Sequence, residues 1–127
     1  MKKKILIVMA NYYEQISNGL LNSAKKELPE PINLIEVPGV FEIPVIIAKN
    51  IKKYDGFVAL GCVIKGETAH FDFISKAAID GIMKLSIENK KPVGNGIITC
   101  LNQNQALARR KKGQEAAAAV LSVLDNF

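Results

Sequence analysis

Tryptophan is absent from these 127 residues, histidine occurs once and cysteine twice. With Cys62 and Cys100 lying 38 positions apart and His70 the sole imidazole, no compact Cys/His ligand set can form locally, so a metal site is not expected. Two cysteines without a secretory leader fit a reducing compartment better than a disulfide framework. Long apolar runs are missing as well. The longest, Ile5–Ala10 and Phe57–Ile64, fall far short of the roughly 18 to 20 residues that cross a bilayer, so no membrane partner is expected. The opening M-K-K-K-I-L-I-V-M-A imitates a leader, but its apolar part is six residues where about 7 to 15 are usual, and Asn11-Tyr12-Tyr13 follows in place of small residues. It reads as a first strand, and a cytoplasmic protein is expected.

Aromatic residues make up only 6% of the chain, and none interleaves with the basic pairs Lys25–Lys26, Lys52–Lys53 and Lys90–Lys91 or with the run Arg109–Lys112. Seventeen Lys and Arg against twelve Asp and Glu leave a net charge of +5, which suits phosphate-bearing partners. Without a base-stacking surface, nucleic acid is not expected among them. Neither G-x-G-x-x-G nor G-x-x-x-x-G-K-[ST] occurs, which removes the dinucleotide fingerprint and the nucleoside triphosphate loop. A phosphoacceptor receiver would need acidic residues at its strand ends, yet the third strand closes in Gly61-Cys62-Val63-Ile64.

What is present is a chain 49% apolar and 23% charged, read as one domain over residues 1–127. Strand and helix signals alternate. Ile5–Ala10 is a continuous apolar run suited to a strand buried on both faces. Ile16, Leu20, Leu21, Ala24 and Leu28 then form a helical stripe, stopped by Pro29 and Pro31. Asn33–Val37 reads as a second strand. Pro38-Gly39 turns into a helix over Glu42–Ile51, with Pro44 tolerated in its first turn. Asp55-Gly56 opens the third strand through Ile64, and the clearest helix follows from Thr68 to Glu88, with Thr68 as its cap and a stripe of Phe71, Ile74, Ala78, Ile82 and Leu85 for the sheet. Pro92 and Gly94 mark a turn, Gly96–Thr99 is a fourth strand, and Asn102–Asp125 is helical with a break near Gly113. The expectation is an α/β fold, a three-layer αβα sandwich around a four-stranded parallel sheet.

Sites on such sheets lie beyond the carboxyl ends of the strands. Gly66-Glu67-Thr68-Ala69-His70 stands there at a helix start, where backbone N–H groups and the positive helix end favour an anion. His70 brings the only side chain with an ordinary pKa near 6.5, about where proton exchange runs both ways at neutral pH. Tyr12 and Tyr13 offer flat faces. Cys62 raises a thiol-nucleophile reading, although its apolar strand favours an inert buried thiol.

The strings V-P-G-V-F-E-I-P (37–44), L-G-C-V-I-K-G-E-T-A-H-F-D-F (60–73), Q-A-L-A-R (105–109) and K-G-Q-E-A-A (112–117) resemble the 6,7-dimethyl-8-ribityllumazine synthase family. The likeness runs almost end to end. It implies a flavodoxin-like fold and a transferase of riboflavin biosynthesis. The implied reaction condenses 5-amino-6-(D-ribitylamino)uracil with L-3,4-dihydroxy-2-butanone 4-phosphate, releasing phosphate and water without metal or organic cofactor. By the same resemblance Tyr12 stacks on the pyrimidine. Val40, Phe41 and Glu42 line the ribityl pocket, and Cys62, Val63, Ile64 and Asn95 line the ring pocket. Gly66, Glu67, Thr68, Arg109 and Lys112 hold the phosphate, and His70 is the catalytic proton carrier. The family implies a homo-oligomer, a pentamer or an assembly of pentamers, with sites between subunits and Arg109 donated by a neighbour.

Two departures from the family pattern stand out. Only three residues separate Arg109 from Gly113, where the family carries a longer loop, and Asn95 stands where it usually has an aromatic. These features favour a second reading, a catalytically weak relative that binds flavin or lumazine compounds or serves as an assembly subunit.

Overall fold

Apolar runs that bury both faces set the middle layer. The computed structural model describes residues 3–66 and 69–126. In it Ile5–Ala10 (β1), Asn33–Val37 (β2), Gly56–Ile64 (β3) and Val93–Cys100 (β4) form a four-stranded sheet in the order β2-β1-β3-β4. Every pairing is parallel, with Leu6 opposite both Asn33 and Phe57, and Phe57 opposite Val93. The helices are α1 (Glu14–Lys25), α2 (Ile43–Lys49), α3 (His70–Asn89), α4 (Gln103–Ala108) and α5 (Lys112–Asp125). This strand order is the flavodoxin-like one, and the winding reverses between β1 and β3. Among the described residues no helix is long and apolar enough to cross a membrane.

The period-two alternation of the strands divides the core between the two faces. Leu6, Val8, Ala10, Phe57, Ala59 and Ile97 meet Ile43 and Ile47 of α2 and Ala78 and Ile82 of α3. Ile7, Met9, Val58, Leu60 and Ile98 meet Ile16 and Leu20 of α1 and Ala117 and Val120 of α5. Each such large side chain contributes about 1.5–3 kcal/mol on burial, and together the two clusters hold three layers, as the alternation predicts.

Several boundaries differ from the sequence reading. Strand β4 spans eight residues, beginning at Val93 rather than Gly96. Gly94 reads as a turn residue, but it lies inside the strand with α5 pressed on it. A Cβ at Gly94 would strike the Ala116 carbonyl, and one at Gly96 would stand 2.5 Å from Leu60 Cδ2. The helix expected from Glu42 starts with a 3-10 turn over Val40–Glu42 and stops at Lys49, where Asn50 Nδ2 donates back to the Ile46 carbonyl at 2.8 Å. Helix α3 has Ala69 at its N-cap without a side-chain hydrogen bond, and ends on a left-handed Lys90 with φ of 55°. Thr68, expected as its cap, lies outside the described residues.

The break expected near Gly113 falls instead at residues 109–111, and α4 is capped by Asn102, whose Oδ1 accepts from Gln105 N at 2.9 Å. Gly113 sits in the first turn of α5, pressed on α1. A Cβ there would run into the Leu20 carbonyl and stand 2.6 Å from Ser23 Oγ. Ser23 Oγ also accepts from Gln114 N at 3.1 Å, tying the start of α5 down.

Gly113→Ala tests this contact with a definite sign. Helix propensity alone favours Ala by about 1 kcal/mol, but the obstructing atom is backbone and cannot swing aside. We expect a net loss of about 1–3 kcal/mol in urea denaturation; a more stable variant would show that α5 does not approach α1 so closely.

Candidate active site

Hydrogen bonds fix the turn that leaves β1. Asn11 N donates to the Val37 carbonyl at 3.0 Å, the buried Ser17 hydroxyl donates to the Ala10 carbonyl at 2.6 Å, and Ser17 N donates to Tyr13 O at 2.9 Å. Tyr12 and Tyr13 therefore stand at the end of the first strand, edge to face, with ring centroids 4.9 Å apart at 81°. Tyr12 is 75% exposed and presents a face outward, while Tyr13 packs on the core. Burial, then the neighbouring Tyr12 and Cys62, push the Tyr13 phenol up from its ordinary value. It stays protonated and can donate.

Strand β3 supplies the wall. Gly61 leaves room for Val40, whose Cγ1 lies 2.5 Å from where a Cβ would be, so the turn over Val40–Glu42 settles directly on the sheet. Beyond it Val63 and Ile64 are half-buried, and Lys65 N continues the ladder to the Cys100 carbonyl at 2.9 Å. Burial first, and Cys100 beside it, push the Cys62 thiol up to about 12. It is not a thiolate at neutral pH, which removes the nucleophile reading and leaves the inert thiol.

His70 is the first residue of α3, exposed, at the positive end of a 20-residue helix. It borders a cavity of about 270 Å³ at the reversal between β1 and β3, together with Tyr12, Tyr13, Gly39, Val40, Cys62, Val63, Ile64 and Ile74. Six of the residues expected in the site thus come together: Tyr12, Val40, Cys62, Val63, Ile64 and His70. Cavities at the amino ends of the strands, beside Lys3 and Pro31, and between α3 and α5, beside Ile87 and Val123, contain none of the expected residues.

The remaining expected residues stand elsewhere. Phe41, on the turn carrying Val40, is 57% exposed and outside the cavity lining, whereas the Glu42 carboxylate folds back toward Gly39, 3.2 Å from where a Cβ would sit. Gly66 is exposed with open space around it, and Glu67 and Thr68 lie outside the described residues. Arg109 and Lys112 line a different cleft, of about 450 Å³, with Ile97, Thr99 and Glu115. There Arg109 Nη1 donates to the Thr99 carbonyl at 3.3 Å and Lys112 pairs with Glu115 at 3.7 Å. Asn95 lines neither; it is exposed on β4, and its Oδ1 accepts from Ile97 N at 3.0 Å.

Three lining residues were not assigned to the site from sequence. Tyr13 was considered only as a stacking face, Gly39 as a turn and Ile74 as part of the helix stripe. Only Tyr13 carried a signal, its place beside Tyr12 at a strand end.

The 6,7-dimethyl-8-ribityllumazine synthase family model matches residues 2–127. The chain belongs to this family. Among its relatives named 6,7-dimethyl-8-ribityllumazine synthase, that of Agrobacterium fabrum is 41% identical over 98% of this chain and 94% of its own length. That of Bartonella tribocorum is 42% identical over 98% of this chain and 91% of its own. For Bartonella henselae the identity is 43%, over 97% and 87% respectively. The cavity bordered by His70 therefore belongs to a family member matched along nearly its whole length.

The Cys62 shift has a consequence for stability. An unfolded thiol titrates near its ordinary 9.0 and the folded one near 12, so between those values the unfolded state binds fewer protons and stability falls as pH rises. The stabilisation is complete below pH 9 and is lost as pH approaches 12. Urea midpoints taken across that window should decline more steeply for the parent than for Cys62→Ala, and equal slopes would count against a protonated, buried thiol.

Proposed function

We propose that this chain condenses 5-amino-6-(D-ribitylamino)uracil with L-3,4-dihydroxy-2-butanone 4-phosphate to 6,7-dimethyl-8-ribityllumazine, in the cavity that His70 borders. The observation that carries the placement is the gathering of Tyr12, Val40, Cys62–Ile64 and His70 at the β1/β3 reversal of a family member. The exposed Tyr12 ring stacks on the pyrimidine. Val63 and Ile64 wall it, Cys62 and Tyr13 close the inner end, and Glu42 with Phe41 meets the ribityl hydroxyls and carbon chain.

Each chemical stage needs a proton moved. The uracil amine attacks the ketone and forms an imine as one water leaves, phosphate is eliminated and the resulting enol becomes a carbonyl, and the ribitylamino nitrogen closes the ring on that carbonyl as a second water leaves. His70, as general acid and base, serves these stages in turn. Holding the two partners face to face supplies up to about 7–11 kcal/mol at best. The phosphate is held by the Gly66-Glu67-Thr68 string and by Arg109, with Lys112 beside it.

Arg109 and Lys112 line a different cleft from His70 within one chain. That separation supports a homo-oligomer, a pentamer or an assembly of pentamers, in which Arg109 of one copy meets the His70 cavity of its neighbour. Asn95 faces the same junction. Exposed Phe41, Val45, Phe73 and Met83 supply apolar surface for such contacts. Residues 1–127 act as one domain, placed in the cytoplasm.

The direct test mixes purified protein with both substrates and follows lumazine absorbance and fluorescence; absence of product ends the proposal. His70→Ala should lower turnover about ten- to a thousandfold with assembly intact, and unchanged turnover would remove His70 from its role. Arg109→Ala should raise KM for the phosphorylated ketone far more than for the uracil. Equal effects on both would argue against phosphate pairing.

A further inference from the structure

Cys62 and Cys100 are the only two cysteines of the chain, and the proposed reaction uses neither for chemistry. They lie on adjacent strands. Cys62 is opposite Ile98 and Cys100 opposite Ile64, one diagonal step away, and both belong to the core on the α1/α5 face, so their side chains share one side of the sheet. Cys100 is 1% exposed; Cys62 is 7% exposed and lines the cavity.

Strands about 4.8 Å apart and a two-residue rise of about 6.6 Å place the two Cα atoms about 8 Å apart. Disulfides require less than about 7 Å, so an S–S bond of about 2 Å needs the backbone to move. A sulfur–metal–sulfur bridge is longer, with each metal–thiolate bond about 2.3 Å. Among the described residues no group of three or more His, Cys, Asp or Glu is placed to hold a metal, so an ion that requires four ligands finds no closed set here. A soft ion satisfied by two sulfurs does.

We propose that Cys62 and Cys100 form a two-sulfur site for a soft, linearly coordinated metal ion of the mercuric or cuprous type, entered from the cavity. Two S–H bonds break, two metal–sulfur bonds form, both protons pass to solvent, and no oxidation state changes. A mercuric ion held by two thiolates is neutral overall, which suits the apolar surroundings. Because two protons are released, affinity rises with pH. On the reading of the cavity as the substrate site, an ion on Cys62 stands against the ring pocket and blocks turnover.

The probe is mercuric chloride titrated into the intact protein, buffered by an excess of a small monothiol, with bound metal counted by native mass spectrometry and turnover followed in parallel. One ion per chain is expected, without cross-linked subunits. Cys100→Ala, and Cys100→Ser if that variant fails to fold, should keep parental turnover and bind mercury about a hundredfold or more weakly, the gain from a second linked ligand being lost. Two ions per chain, or full affinity in the Cys100 variant, would overturn the site. One ion bound through both sulfurs with turnover intact would support the site and count against the cavity as the place of reaction.

Discussion

Hydrogen bonding of β3 to β1 on one side and β4 on the other is the constraint from which the rest follows. The seven residues from Gly56 to Cys62 are buried, while Val63 and Ile64 emerge half-buried at the strand end. One rigid element thus anchors both halves of the core and ends as the wall of a cavity. The position of that wall follows from sheet register, which a one-residue slip would invert. Bare glycine at Gly61 lets Val40 come down onto the strand, so the Val40–Glu42 turn is seated by packing, and the residues around the cavity are held by the same contacts that hold the fold.

Much of this was legible in the residues. Ile5–Ala10 and Phe57–Ile64 needed burial on both faces, and the stripes through Ile16–Ala24 and Phe71–Leu85 needed one buried face each. Those demands lead to a three-layer parallel sandwich, and the crossover rule leaves few arrangements of it. The roles of Gly94 and Gly113 were not legible. Glycine ordinarily punctuates, but at these positions it permits α5 to lie tightly on β4 and α1, and that depends on partners remote in the chain. Six site residues were named by the family resemblance, and strand ends and a helix start bring them to one place. Ile74 was not, since a helix residue facing a cavity and one facing the core share the same periodicity.

The basic side chains are distributed differently. Arg109 and Lys112 flank the short segment between α4 and α5, alongside β4, whereas His70 starts α3 at the β1/β3 reversal. A parallel sheet aligns all its strand ends at one rim, and the two clefts share no lining residue. An anion held by both sets would bridge two separate surfaces.

The bond from Ile97 N to Asn95 Oδ1 lies on β4, a strand that among the described residues has a neighbour on one side only. An unpaired row of amides is a template for another chain, and proteins blunt such rows in several ways. Here a side chain two residues back already occupies one donor, interrupting the row mid-strand. Continuous growth of the sheet by a fifth strand would first have to displace that carboxamide, so the polypeptide carries a local guard against fibrous self-association at this margin.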